Sequence, residues 1–297
     1  MDIFTHVVAI SLLLFTTGNS SLIPFGILGA VIIDIDVAYF FIARRKPSLY
    51  LLYHGGINHS FFGAAILSVL GFGMLLALSS VGLLPGSLQE VGVLAAFAAV
   101  LAGAFLHLFL DWLPAPGLPL LYPLTEKRYG VSLYPMSFYL GITALSLISL
   151  GIILSWGFTS ALVSVYWAFF TGITVVSLGL KWYVYQQTHG TSYPTFHPLR
   201  WIVIREESSS YPVMVYEIFR GVIRDFSYEK YTNITPSEAR MYDTLVEVKR
   251  HTYFSYIPAV KKNGDEIIFH DPIREEGLIS YPPWYPSVTV YAGKEAP

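Results

Sequence analysis

The chain has 297 residues, of which 54% are hydrophobic and only 13% are charged, and its mean hydropathy is +0.54. A soluble globular domain has about twice that share of charged residues, so the composition excludes an ordinary soluble protein. A net charge of −2 argues against nucleic acid as the main partner, and the absence of Cys excludes disulfides, thiolate nucleophiles and thiolate metal ligands.

The charged residues divide the chain into two parts. Residues 1–180 contain 5 Lys/Arg and 6 Asp/Glu, whereas residues 181–297 contain 13 Lys/Arg and 14 Asp/Glu. We read this change in composition as a domain boundary. It predicts a transmembrane helical bundle over residues 1–184 and a soluble, β-rich domain over residues 190–297.

Six apolar segments in the first part are candidates for transmembrane helices, each of which needs roughly 17–25 apolar residues. The first segment is short. It is not a convincing signal peptide, because the residues before it include Asp2 and no Lys or Arg. Pro24 suits the first turn of the second helix. The predicted helices are about Ile3 to Thr17, Pro24 to Ala43, His59 to Val81, Val91 to Leu113, Met136 to Trp156 and Ser160 to Trp182.

Basic residues in the short connections indicate the orientation in the membrane. Arg44, Arg45 and Lys46 follow the second helix, Lys127 and Arg128 the fourth, and Lys181 the sixth. The alternate connections contain no Lys or Arg. This bias predicts a multi-pass protein of the cell (inner or plasma) membrane with its N-terminus and its long C-terminal tail in the cytoplasm.

The tail predicts a small α+β domain. Four stretches rich in β-branched and aromatic residues indicate short antiparallel strands: Arg200–Arg205, Met214–Phe219, Val222–Tyr228 and Glu266–His270. Thr235-Pro236-Ser237-Glu238 is a capping box, which predicts a helix as far as about Arg250. The YPPWYP sequence at residues 281–286 indicates an extended turn.

Seven polar residues of the helical part fall on one side of the predicted membrane. They lie near the cytoplasmic ends of the first four helices: His6, Asp34, Asp36, His54, His59, His107 and Asp111. Independent placement would scatter such residues between the two faces. Their shared depth predicts a single pocket at the inner leaflet, in which a cation neutralises the acids.

His107 and Asp111 are separated by four residues and therefore share one helix face. That spacing suits an imidazole and a carboxylate on one metal ion, and it equally suits a His–Asp hydrogen bond that lets the helix end at the interface.

Asp34 and Asp36 lie in an otherwise apolar stretch, VIIDIDVAYF at residues 31–40. An ionised Asp in a membrane segment costs roughly 2.5–3.5 kcal/mol on insertion scales, so a functional reading is favoured over a packing pair. The two side chains would point about 200° apart on a regular helix, so both can face one site only if the helix is broken there. One would then bind a metal while the other holds a ligand histidine in its tautomer.

The HGGINHS sequence at residues 54–60 carries two histidines five residues apart. Gly55 and Gly56 would break a helix and let His54 fold back toward the site, and Asn58 could cap the third helix with His59 in its first turn. A plain interfacial loop is the alternative. The tail histidines His189, His197, His251 and His270 have no ligand spacing.

Other enzyme signatures are missing from the sequence. It contains no GxSxG, no evident Ser-His-Asp order and no glycine-rich phosphate loop. Imidazoles and carboxylates without thiolates suit Zn²⁺ or Mn²⁺, or two ions bridged by an Asp.

The motifs resemble those of a family. Thr5-His6, Asp34-Ile35-Asp36, HGGINHS and HLFLD at residues 107–111 are similar, in order and spacing, to the T-H, P-D-I-D, H-R-G-x-T-H-S and H-x-x-x-D motifs of the YdjM-type membrane-bound metal-dependent hydrolases. The likeness covers residues 5–123, and the tail also resembles the β-rich tail of longer members. Ile33, Gly55 and Asn58 depart from the family pattern. The missing Arg at position 55 would weaken binding of a phosphate.

The resemblance implies a membrane-embedded metal-dependent hydrolase. Its metal, Zn²⁺ or else Mn²⁺, would be bound by His6, Asp34, His59, His107 and Asp111, with Asp36 and His54 in catalytic or supporting roles. Membrane lipid is the expected partner, and a lipid phosphoester or another amphipathic ester the expected substrate. An ion-coupled transporter and a membrane scaffold remain the alternatives. The transporter predicts polar residues in both halves of the membrane, and the scaffold predicts that Asp34→Asn leaves function intact.

Overall fold

The computed structural model describes residues 1–82, 90–114, 116–281 and 285–292. The chain forms two compact units, of which the first comprises Met1–Phe41 and Leu51–Leu178 and the second comprises Ile42–Tyr50 and Gly179–Pro297. The second unit therefore includes a short segment from the helical part of the sequence as well as the tail.

Helices α1 to α7 account for most of the first unit and lead into the second. They are α1 (Ile3–Thr16), α2 (Ile23–Ile32), α3 (Asp36–Arg45), α4 (Phe61–Ser80), α5 (Val93–Trp112), α6 (Met136–Trp156) and α7 (Ser160–Thr188). Helices α1, α4, α5 and α6 begin and end within a few residues of the predicted bounds, α2 and α3 together cover the predicted second helix, and α7 continues beyond Trp182 to Thr188.

Five segments of the described chain are long and apolar enough to cross a membrane: Ser20–Arg45, Phe61–Ser80, Val93–Trp112, Met136–Trp156 and Ser160–Thr188. Helix α1 is also apolar but has only 14 residues. At 1.5 Å per residue it is about 21 Å long, whereas the hydrocarbon core is about 30 Å thick. The six predicted spans are therefore five candidate spans and one shorter apolar helix.

The second span is not one regular helix. Helix α2 ends at Ile32, a 3₁₀ turn occupies Ile33–Ile35, and α3 starts at Asp36. The continuous helix predicted from Pro24 to Ala43 is thus interrupted at the two aspartates. This interruption is the break that the Asp34–Asp36 spacing requires if both acids are to face one site.

Helices α2 and α5 are in backbone contact through glycines. A Cβ atom on Gly29 would lie 1.8 Å from the Val100 carbonyl oxygen, and one on Gly103 would lie 2.0 Å from the Gly26 carbonyl oxygen. Small residues of this kind let membrane helices approach closely. The close approach brings the end of α2 next to His107 on α5.

The described residues of the second unit form two four-stranded sheets. The first has the order β1 (Thr191–Pro194), β2 (Arg200–Ile204), β3 (Ser210–Glu217) and β4 (Gly221–Glu229), with every neighbouring pair antiparallel. The second has the order β5 (Tyr231–Thr232), β6 (Ala259–Asn263), β7 (Glu266–His270) and β8 (Ser287–Tyr291). Its β5–β6 pair is parallel, which the sequence did not indicate, and its other pairs are antiparallel.

The predicted helix of the tail is two helices. Thr235 caps α8 (Pro236–Arg240) by accepting a hydrogen bond from the Glu238 amide, as the capping box indicated. The chain then turns and resumes as α9 (Val246–Phe254), so the prediction of one helix as far as Arg250 is wrong. A short α10 (Pro272–Glu275) follows β7. Residues 282–284 of the predicted YPPWYP turn lie outside the described residues.

Residues 42–50 pack against the tail within the second unit. The Tyr285 hydroxyl donates to the Arg44 carbonyl oxygen at 2.9 Å, and the rings of Tyr50 and Tyr253 have centroids 5.4 Å apart. Along the chain this segment lies between Asp36 and His54.

Candidate metal centre

The 3₁₀ turn at Ile33–Ile35 lets both aspartates reach His59. Asp34 Oδ1 lies 3.4 Å from His59 Nε2, and Asp36 Oδ2 lies 3.3 Å from His59 Nδ1. The two acids therefore sit on opposite nitrogens of one imidazole. On a regular helix they would diverge by about 200°, so the change of helix type is what makes this arrangement possible.

The loop at residues 54–60, called the His loop below, depends on its glycines, as the sequence indicated. Gly55 has φ +76°, which favours glycine, and a Cβ on Gly56 would lie 1.9 Å from the Leu51 carbonyl oxygen. This tight turn places His54 Nδ1 3.0 Å from Asp36 Oδ1 and 3.7 Å from Asp34 Oδ1.

The prediction that Asn58 caps the third predicted helix, which is α4, is wrong. Ser60, not Asn58, caps α4 by accepting a hydrogen bond from the Gly63 amide at 2.9 Å. Asn58 instead donates to the Ile33 carbonyl oxygen at 3.2 Å, where α2 has ended. His59 lies in a 3₁₀ turn before α4 and not in its first turn. Asn58 thus ties the His loop to the break that carries the aspartates.

Helix α5 supplies His107 and Asp111 on one face, with His107 Nε2 3.4 Å from Asp111 Oδ2. The other ring nitrogen of His107, Nδ1, lies 2.6 Å from the Ala30 carbonyl oxygen. A carbonyl only accepts, so Nδ1 carries the proton and Nε2 presents a lone pair to the site. This backbone partner was not detectable from the sequence, because it depends on the contact between α2 and α5.

The same two imidazole nitrogens lie close to one carboxylate oxygen of Asp34 and to one of Asp111. His59 Nε2 and His107 Nε2 are 3.3 Å apart. Asp34 Oδ1 lies 3.4 and 3.5 Å from these two nitrogens, and Asp111 Oδ2 lies 3.4 Å from each. Each carboxylate oxygen therefore completes a nearly equilateral triangle with the same pair of nitrogens.

The charges and burial of this cluster are suited to a bound cation. Three carboxylates lie among four imidazoles, and His6, Asp36, His59 and His107 are no more than 1% exposed. Asp34 Oδ1 and both ring nitrogens of His6 are buried without a hydrogen-bond partner. Uncompensated buried charge of this kind is very costly. The buried His and Asp side chains are positioned to hold a metal ion, in groups that share His59 and His107.

His59 lies in the loop between two candidate spans, and its pKa responds to the neighbouring carboxylates. Burial lowers the pKa of its imidazole, but the carboxylates of Asp34 and Asp36 outweigh burial and raise it. The two carboxylates therefore stabilise positive charge on the His59 ring.

His6 extends the cluster on the far side of Asp111. Its ring stacks on His107 with centroids 3.8 Å apart, and its Nε2 lies 3.1 Å from Asp111 Oδ1. The Met1 amino group also contacts Asp111 Oδ1. Because Asp111 Oδ2 faces His59 and His107, the two oxygens of this carboxylate face different partners, which is the arrangement of a bridging carboxylate.

His54 and Asp36 differ from the other members of the cluster. The His54 side chain is 38% exposed, whereas those of Asp34 and Asp111 are 15% and 7% exposed. Asp36 is 1% exposed and lies between His54 and His59. His54 is therefore the member that solvent reaches most easily.

All seven predicted site residues come together. Asp34 Oδ1 lies 3.5 Å from His107 Nε2, although the two residues are on different helices. Among the described residues of the tail, the histidines form no comparable group. His251 instead bonds Ser255 and the Tyr285 carbonyl, and His270 pairs with Glu275.

Comparison with known proteins confirms the resemblance seen in the sequence. The family described as YdjM inner membrane protein matches residues 1–188, which include all seven residues of the cluster. No curated protein and no solved structure matches the chain. With more than half of its length matched, the chain belongs to the YdjM inner membrane protein family.

Proposed function

We propose that this protein is a membrane-embedded, metal-dependent hydrolase that acts on a lipid phosphoester or another amphipathic ester at the cytoplasmic leaflet. The observation that supports the proposal is the convergence of His59 Nε2 and His107 Nε2 with one oxygen each of Asp34 and Asp111, at 3.3–3.5 Å. A cluster of this composition is typical of catalytic metal sites built without thiolates.

The distances favour a tetrahedral ion such as Zn²⁺. Zinc lies about 2.0–2.1 Å from its N and O ligands, so neighbouring ligand atoms of a tetrahedral site are about 3.3–3.4 Å apart. Octahedral Mg²⁺ at a similar bond length would bring neighbouring ligands to about 3.0 Å. The separations of 3.3–3.5 Å among Asp34 Oδ1, His59 Nε2 and His107 Nε2 match the first case. Mn²⁺ is the second choice because it accepts the same donor types.

The residues around the ligand atoms have separate tasks. The Ala30 carbonyl and the Asp36 carboxylate each face the Nδ1 atom of a ligand imidazole, which leaves Nε2 of His107 and His59 for the metal. A bound cation would supply Lewis-acid polarisation of the scissile group and make a nearby water more acidic. His54, partly exposed and 3.0 Å from Asp36, is placed to move a proton between the site and substrate or solvent.

The surroundings of the site support an amphipathic substrate. Asp34 and His54 are the more exposed members of the cluster, and the segment that carries Asp34 also presents Ile35 at 47% and Val37 at 60% exposure. Apolar side chains exposed in a membrane span face lipid. A lipid could therefore bring its headgroup to the site without leaving the bilayer. The positive-inside pattern of the connections supports the cytoplasmic leaflet as the location of that site.

Metal content and hydrolysis test the proposal together. Protein purified in nanodiscs should contain Zn²⁺ or Mn²⁺ by mass spectrometry, and His107→Ala should lose the metal, whereas His189→Asn, at an exposed tail histidine, should keep it. A panel of phospholipid and other amphipathic esters should give products with the wild type and with His189→Asn only. Equally little metal in wild type and His107→Ala would refute the metal site. Bound metal with Asp34-dependent ion flux and no hydrolysis would favour the transporter instead.

A further inference from the structure

Strand β2 runs alongside the last turns of α7, in the same direction. At one end Arg205 Nε donates to the Thr188 carbonyl oxygen at 2.7 Å. Nearer the start of β2, Val184 and Trp201 share one buried cluster, and Lys181 Nζ lies 5.9 Å from the Trp201 ring. The start of β2 is therefore level with residues 181–184, and its end is level with the end of the helix.

That alignment determines where two hairpin ends of this sheet lie. The antiparallel order places the β1–β2 connection, residues 195–199, and the β3–β4 connection, residues 218–220, beyond the start of β2. The Ile218 amide donates to the Leu199 carbonyl oxygen at 2.9 Å, so the two ends are neighbours. Ile218 and Leu180 pack against the same buried cluster. Both hairpin ends thus lie on the side of the sheet that is nearest to Leu180.

The last apolar turns of α7 mark the depth of the bilayer edge. A hydrocarbon core of about 30 Å takes about 20 helical residues, so a span that begins near Ser160 leaves the core near Leu180. Trp182 and Tyr185, which follow, are 64% and 51% exposed. Exposed Trp and Tyr at the end of an apolar helix are typical of the membrane interface. The hairpin ends reach this level or lie on the membrane side of it.

Two aromatic side chains are prominent on the exposed surface of the hairpin ends. Phe219 is 82% exposed and Phe196 is 67% exposed. Arg220 beside Phe219 has a side chain that is 72% exposed, and Arg200 at the base of the same ends is 46% exposed. Both arginines contact Glu217, which leaves one net positive charge on the three side chains. Exposed aromatic rings next to basic groups suit a layer of lipid phosphates above acyl chains.

We propose that residues 195–199 and 218–220 form a membrane-docking surface, with Phe196 and Phe219 inserted into the headgroup region of the leaflet from which α7 emerges. The partner is the lipid bilayer itself. Docking at these two ends, in addition to the covalent connection through α7, would hold the first sheet upright on the membrane. The proposal does not depend on the hydrolase activity or on the metal.

Single-cysteine labelling tests this surface directly, because the full chain has no Cys of its own. Phe219→Cys and Phe196→Cys carry a nitroxide at the hairpin ends, and Ser208→Cys carries the same label in the exposed turn at the opposite end of the sheet. In lipid nanodiscs we expect a water-soluble nickel chelate to relax the label at position 208 but not those at 196 and 219. Oxygen, which concentrates in lipid, should relax the labels at 196 and 219 more than the label at 208.

Two results would overturn the proposal. The first is equal nickel access at all three positions. The second is protection at 196 and 219 that disappears when each nanodisc holds one copy of the protein, because that would assign the surface to contact with a second copy. Circular dichroism of each labelled variant shows whether it is folded, and labels at two neighbouring hairpin ends allow the test to proceed if one substitution disturbs folding.

Discussion

Replacing Asp36 by Asn removes one buried negative charge while it keeps the size of the side chain. The carboxylate lies 3.3 Å from His59 Nδ1 and 3.0 Å from His54 Nδ1, and it is 1% exposed. A carboxylate in this position holds the imidazole and makes its other nitrogen a better ligand. Its loss costs about 10–100-fold in metal affinity, which is about 1.4–2.8 kcal/mol. We expect a larger loss for Asp34→Asn, because Asp34 would itself bind the ion.

Competition with a chromogenic chelator measures the Zn²⁺ affinity, and thermal unfolding gives an independent reading. At a free Zn²⁺ concentration of 100 times the wild-type Kd, binding stabilises the protein by about 2.7 kcal/mol, and after a 100-fold loss of affinity by only about 0.4 kcal/mol. Asp225→Asn, which makes the same change at an exposed position of β4, is the matched control. If Asp36→Asn binds Zn²⁺ as tightly as Asp225→Asn does, the orienting role assigned to Asp36 is wrong.

The further predictions concern the stability of the first unit and then that of the second unit. Gly29→Ala would place a Cβ 1.8 Å from the Val100 carbonyl oxygen, so we expect α2 and α5 to separate at a cost of about 1–3 kcal/mol. Gly151→Ala, with nothing within 4 Å, should be tolerated in the same thermal-unfolding assay, and equal behaviour of the two variants would contradict the packing argument. In the tail, burial raises the pKa of Asp271 to about 6 from its usual 3.8, so its charge opposes folding above pH 6 and this cost disappears as the pH falls toward 4. Asp271→Asn should therefore stabilise the second unit by up to about 3 kcal/mol at pH 7.5 and give no gain at pH 4. Burial lowers the pKa of His251 to about 4, which makes folding less favourable as the pH falls below 6.5. The wild type offsets part of this loss when Asp271 takes up a proton, so urea unfolding of Asp271→Asn should show a steeper acid loss than the wild type. Parallel pH profiles would refute the assignment for Asp271, and a variant whose stability does not fall below pH 6.5 would refute the assignment for His251.

The membrane helices and the site residues were predictable for different reasons. Helix bounds such as Met136–Trp156 follow from the length of an apolar run, which a bilayer dictates. The site followed from depth, because acids and imidazoles at one level of a membrane rarely have another reason to be there. The break at Asp34 and Asp36 could be stated as a condition, although the sequence alone does not show that the chain changes to a 3₁₀ turn.

The errors come from competition between local signals and distant partners. Asn58 and Ser60 are both good helix caps, and the sequence could not show that the Ile33 carbonyl, 25 residues away, takes Asn58. In the tail, Tyr242 and Leu245 pack with Ala239 and Val248 in one core. They do so from a turn between two short helices, and the pattern of apolar residues alone does not show that turn.

Residues 42–50 have a practical consequence for anyone who wishes to study the helical part alone. A protein cut after Thr188, where the family match ends, would keep this nine-residue segment but lose Tyr253 and Tyr285, on which it rests. The deletion would thus remove packing contacts from the stretch of backbone that connects Asp36 to His54. An inactive truncated protein would say nothing about whether the tail takes part in chemistry, and substitutions within the full-length chain are the safer way to ask.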